Sequence, residues 1–90
     1  MFVSKLPIKL KKSISISVGK EAVEFNTHSY PCLVTVADGN AYLLGSENEI
    51  NTIDSAYPMI FGQQFELCGA FKLISDNYGA DVRIMYYDHV

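Results

Sequence analysis

Tryptophan is absent from this 90-residue chain, and cysteine and histidine occur only twice each. Cys32 and Cys68 stand far apart among apolar neighbours, with no CxxC pair and no Cys/His quartet, so no zinc site is expected. A buried free thiol is the default for such residues, although a bridge stays open. His28 sits in a polar stretch and His89 one residue from the end, neither with thiolate or carboxylate neighbours at ligand spacing. No apolar run approaches the roughly eighteen residues of a membrane span. The opening Met-Phe-Val-Ser-Lys-Leu-Pro lacks the unbroken apolar stretch of a signal peptide, so synthesis in a reducing cytoplasm is expected. Also missing are a glycine-rich phosphate loop, a nucleophile elbow and any Cys/His pair with a local catalytic signature. Catalysis is therefore not expected, and neither is a cofactor or a metal. Glu47, Glu49 and Asp54 cluster, but without the one-three-five spacing and central glycine of a calcium loop, and they read as a solvated acidic loop.

Charge is sparse, at 19% of residues, and unevenly laid out. The first twenty residues hold Lys5, Lys9, Lys11, Lys12 and Lys20 and no acid. The remainder holds all ten acids against Lys72 and Arg83, so a +5 segment precedes a −8 body. The segment is either a solvated strand pair or a surface that meets an acidic neighbour. Nucleic acid is disfavoured because the −8 body surrounds most of the tyrosines and would repel phosphates.

What the chain does have is alternation. Ser13-Ile14-Ser15-Ile16-Ser17-Val18 puts its apolar side chains on one face, and Ala22-Val23-Glu24-Phe25 resumes the pattern after Gly19-Lys20. Cys32–Val36 is rich in β-branched residues, and Asp38-Gly39 after it predicts a tight hairpin returning along Ala41–Leu44. Residues 46–56 predict a surface loop pinned by Ile50 and Ile53, with Ser46 and Glu49 spaced for one capped helical turn. Pro58–Phe61, Gln64–Leu67 and Ala70–Ile74 read as strands. A turn at Asp76-Asn77-Tyr78-Gly79 then leads into Asp81–Tyr87. About eight short strands with a turn signal every eight to twelve residues predict an all-β fold, a small antiparallel β-sandwich or flattened barrel. The expected core is Ile14, Ile16, Val18, Val34, Val36, Leu44, Phe65, Leu67, Leu73, Val82 and Ile84. Residues 1–12 form a basic arm or first strand, and residues 13–90 a single domain.

Eleven Phe and Tyr exceed what so small a core needs. Tyr57, Tyr78, Tyr86 and Tyr87 stand near turns or at a strand end, where a half-exposed phenol anchors protein contacts. A domain of this size buries only roughly 60% of its unfolded surface, which favours further burial in an assembly. The expected partner-binding set is these four tyrosines with Phe2, Lys5, Leu6, Ile8, Lys9, Lys11 and Lys12 of the basic arm. A free sugar- or peptide-binding module using the tyrosines is the alternative.

Three stretches in order carry a resemblance: Ala41-Tyr42-Leu43-Leu44-Gly45-Ser46, then Tyr57-Pro58-Met59-Ile60-Phe61-Gly62, then Phe71-Lys72-Leu73-Ile74-Ser75 with Gly79-Ala80-Asp81-Val82-Arg83-Ile84. Over residues 33–87 the chain resembles small all-β structural proteins of bacteriophage virions. Ala56 stands where that pattern has a glycine, and the first thirty residues have no counterpart in it. The resemblance implies a virion protein without enzymatic activity that decorates or cements the head, or takes a minor head–tail or tail position. Its partners would be major capsid or tail subunits and further copies of itself, with no membrane partner.

Overall fold

The computed structural model describes residues 8–89. Among them 68% are in strands and no α-helix is present, so the chain is an antiparallel all-β fold. Six strands appear in order: β1 (Ile8–Val18), β2 (Val23–Asn26), β3 (Cys32–Gly45), β4 (Tyr57–Met59), β5 (Gln64–Leu67) and β6 (Ala70–His89). A single 3₁₀ turn, Ile53–Ser55, lies between β3 and β4.

Two long strands organise everything else. β3 pairs with β6 from Cys32 opposite Tyr86 to Gly45 opposite Phe71. β1 lines the later half of β6, and β2 lines its earlier half. In the same way β5 flanks the first half of β3 and β4 the second. The result is two four-stranded layers, β1-β6-β3-β5 and β2-β6-β3-β4, that share the two long strands. Counted by segment, the bent β3 and β6 give the eight short stretches expected from the turn spacing.

The bend between the layers replaces the expected hairpin. A two-residue hairpin turn of this kind needs positive φ at both central residues. Here Gly39 has φ 79° while Asp38 stays on the ordinary side, so β3 continues through Asp38-Gly39 instead of reversing. The turn expected at residues 76–79 is likewise part of β6: opposite the single Asn40, β6 places Asp76, Asn77, Tyr78 and Gly79. Such a bulge bends a strand and increases its twist. Side chains tie it down. The Asn40 amide donates to Asp76 Oδ2 at 3.2 Å, the Tyr78 N–H donates to Asp76 Oδ1 at 3.0 Å, and the Ser75 N–H donates to the Gly19 carbonyl at 2.8 Å. The Asn40 and Tyr78 donors hold the Asp76 carboxyl below the ordinary carboxylate range. That contribution to the folded state is present above the unfolded pKa of about 3.9 and is lost as pH falls through the lowered value.

Cross-strand rungs show how the alternating pattern becomes a core. Ile14, Ile84, Val34 and Phe65 stand opposite one another across β1, β6, β3 and β5. Val23, Leu73 and Leu43 do the same across β2, β6 and β3. Residues from both layers, among them Val18, Val34, Val36, Phe71, Leu73, Val82 and Ile84, join in one cluster with Ile14, Ile16, Phe65 and Leu67 packed against it. Of the expected core only Leu44 lies apart from that cluster, buried nonetheless. Phe71, which alternates as a core residue would, is buried, and Cys32, Ala41, Met59, Ile74 and Ala80 are core residues that the alternation alone did not single out. The 46–56 loop is anchored differently from expectation. Ile50 and Ile53 are exposed. Instead the Lys72 ammonium donates to the Asn48 carbonyl at 2.9 Å and to Asn51 Oδ1 at 3.1 Å.

Both cysteines are free thiols, Cys32 fully buried and Cys68 exposed. Burial, and next the nearby Cys68, push the Cys32 thiol above its ordinary pKa. An aromatic disulfide reagent should therefore titrate one thiol per chain at once and the second only as urea unfolds the core. Immediate reaction of both would contradict the buried position of Cys32.

Candidate functional site

One end of the molecule carries a cleft of about 320 Å³ between the start of β1, the end of β6 and the connection from Asn26 to Tyr30. A bulge in β1 creates it. Leu10 pairs with Tyr87 and Lys12 with Tyr86, which leaves Lys11 as the extra residue. Lys11 reaches Asp88 Oδ2 at 3.3 Å and lies 5.1 Å from the centre of the Tyr30 ring, a cation–π distance. Lys12 is exposed and carries no ion pair among the described residues. The opposite wall is held firmly. Thr27 is buried and shares three hydrogen bonds with Gly69: its N–H and, at 3.4 Å, its hydroxyl donate to the Gly69 carbonyl, and the Gly69 N–H donates to Thr27 Oγ1 at 2.9 Å. His28 takes a left-handed φ of 58°, with its N–H donating to Asn26 Oδ1 at 2.8 Å. The cleft thus combines two ammonium groups, His28 and the rings of Tyr30, Tyr86 and Tyr87. Chemically it suits an acidic segment with an apolar side chain.

A second surface lies along β4, β5 and the turn that joins them. The Gln63 N–H donates to the Ile60 carbonyl at 3.0 Å, and Gly62 at the third position has φ 84°, a type II turn that needs glycine there. This turn holds Ile60 and Phe61 in solvent, at 67% and 69% exposure, and Tyr57 on β4 is 64% exposed. Tyr57 packs edge-on against Phe65, with ring centres 6.1 Å apart. Beside it runs a groove of about 410 Å³ lined by Leu43, Tyr57, Leu67, Cys68, Ala70 and Phe71. Three large apolar side chains standing free within five residues, next to an apolar groove, are typical of a contact surface.

The expected partner-binding residues separate into groups. Phe2, Lys5 and Leu6 lie outside the described residues. Ile8 opens β1 opposite His89, and Lys9 is exposed opposite Asp88. Lys11, Lys12, Tyr86 and Tyr87 come together at the cleft, while Tyr57 belongs to the apolar surface and Tyr78 stands alone at the bend, 95% exposed. Tyr87 is a correction, because it is 2% exposed and not a half-free anchor. Simple alternation places Tyr86 and Tyr87 on opposite faces, yet both border the cleft, beside the point where β1 bulges at Lys11. Asn26, Thr27, His28 and Tyr30 were missed. Their polar run reads as a loop in sequence, and nothing local says which strand end it covers. The apolar surface was partly legible, since Ile60 and Phe61 were assigned to a strand but lie in its turn.

Elsewhere, Arg83 pairs with Asp81 at 2.8 Å on the outer face of β6, where the Ser15 hydroxyl also donates to Asp81 at 3.0 Å. Arg83 first, and then Ser15, hold that carboxyl below the ordinary range. Among the described residues no three of His, Cys, Asp and Glu converge as a metal ion would need, and no helix is long and apolar enough to cross a membrane. Comparison with family models, curated proteins and solved structures finds no match to this chain.

Proposed function

We propose that this chain is a non-catalytic assembly protein that docks on neighbouring subunits of a larger particle. Following the resemblance of residues 33–87, that particle is a bacteriophage virion. Decoration of the capsid is the first reading, and a head–tail or tail position the second. The observation that supports docking is the exposed Tyr57–Ile60–Phe61 surface beside its apolar groove. Solvent exposure of Ile60 and Phe61 gives nothing to the stability of the isolated chain. Their burial against a partner would contribute about 1.5–3 kcal/mol each.

The test replaces both, Ile60→Asp with Phe61→Asp. Because the two side chains are already in water, the variant should keep its urea midpoint. It should lose binding to virus particles stripped of their minor proteins by about a hundredfold or more. Undiminished binding by a folded double variant would remove this surface from the reading. Binding to glycans in solution, with no affinity for particles, would favour a free binding module instead.

A further inference from the structure

The cleft and the acidic loop are complementary halves of one contact, and we propose that the cleft of one copy receives the 46–55 loop of a second copy, head to tail. The proposal rests on the assembly reading and deepens it by naming the two surfaces through which copies of the chain meet. The loop is acidic, with Glu47, Glu49 and Asp54 all exposed and none in an ion pair among the described residues. It is also apolar at its crest, where Ile50 is 67% and Ile53 40% exposed. At its base Lys72 is spent on the Asn48 carbonyl and the Asn51 amide oxygen, while Lys20 borders Asn51, Thr52 and Ile53 and forms no ion pair among the described residues. The loop is shaped in advance as well. The Gly45 N–H donates to Asn48 Oδ1 at 3.1 Å, and the Ser55 hydroxyl contacts the Ile50 and Thr52 carbonyls at 2.9 and 3.0 Å. Ordering such a loop on contact costs little.

The cleft offers what that loop lacks. Lys12 has no ion pair among the described residues, and Lys11, which meets the half-exposed Asp88 and the Tyr30 ring, is itself exposed, so both ammonium groups can meet Glu47 and Glu49. The Tyr30 ring, 55% exposed, gives Ile50 an apolar seat at the cleft mouth. The +5 opening segment supplies the cleft's Lys11 and Lys12, and the −8 body supplies the loop's three carboxylates. Cleft and loop share no residue, and joined head to tail, one cleft to one loop, the contact is heterologous and propagates into a ring or a filament. An unrelated protein would have to supply an acidic, isoleucine-bearing, pre-shaped loop that this chain already carries.

The test is sedimentation of the full chain at about 0.02 M and about 1 M salt, where the screening length falls from tens of ångströms to about 3 Å. Wild-type protein should grow in mass with concentration at low salt, with its dissociation constant weakened on the order of tenfold or more at high salt. A cleft variant, Lys12→Glu with Tyr30→Ala, and a loop variant, Ile50→Asp with Ile53→Asp, should each be monomeric while keeping wild-type circular dichroism. Mixed in equal amounts they should form a dimer and stop there, because one intact loop meets one intact cleft and the remaining ends repel. Monomeric wild type at low salt, unchanged association in either variant, or a mixture that stays monomeric would each overturn the head-to-tail contact. Wild type that stays monomeric yet binds stripped particles through Ile60 and Phe61 overturns this contact alone and leaves the assembly reading standing.

Discussion

Gly39→Ala should remove a large part of the protein's stability. At φ 79° a residue with a side chain carries strain of about 1–3 kcal/mol. The added methyl would also collide with the Gly79 carbonyl oxygen and lie 2.9 Å from Ala80 Cα. Both obstacles are backbone of β6 and cannot rotate away, so relief requires the two long strands to part at the bend they share. Overpacking of that kind costs a further ~1–3 kcal/mol. Against a total stability of about 5–15 kcal/mol, and nearer the lower end for so small a domain, the combined loss is large. A urea titration followed by circular dichroism should show the midpoint falling by more than about 1 M, given slopes of about 1–3 kcal/mol per molar. Gly19→Ala is the control: a methyl there meets nothing within 4 Å, and its midpoint should not move. Equal behaviour of the two variants would mean that the bend is not where the structure places it.

Leu73→Ala should cost about 2–5 kcal/mol, the range for a buried leucine that leaves a cavity. Leu73 is 0% exposed and stands between Val23 of β2 and Leu43 of β3, in the cluster that joins the two layers. Its loss removes packing from both layers at once, and the short β2 has only four residues with which to hold on. Thermal and urea unfolding should both shift, and the Cys32 thiol should become reactive at lower urea than in the wild type, because it lies in the same cluster. Ile50→Ala, on the exposed loop, should change stability by no more than about 0.5 kcal/mol. A Leu73→Ala protein with the wild-type midpoint would show that the layers do not pack through this residue.

Much of the architecture follows from local rules that need no partner strand. Ile14, Ile16 and Val18 face inward because a strand places every second side chain on one face, and Ser13, Ser15 and Ser17 face outward for the same reason. The same rule found Val34, Val36, Val82 and Ile84. Composition likewise located the basic opening segment and the acidic loop, since charge is a property of the chain before it folds.

Other features depended on which segments meet. Asp-Gly accommodates a bend as readily as a hairpin, and the choice was made by β6, which runs alongside β3 through the bend and matches Asn40 with a four-residue bulge. Tyr87 is buried at a strand end whose pairing partner, Leu10, lies on a strand more than seventy residues away in sequence. Lys72 anchors the 46–56 loop from a strand more than twenty residues away, so no local pattern could reveal that the two isoleucines remain in solvent. The cleft is likewise assembled from three segments that are distant in sequence. Sequence alone therefore determined the inward and outward faces, the charge layout and the all-β class, each set by neighbours along the chain. Tertiary structure decided the bend and the cleft, because each arises where strands distant in sequence come together with unequal numbers of residues.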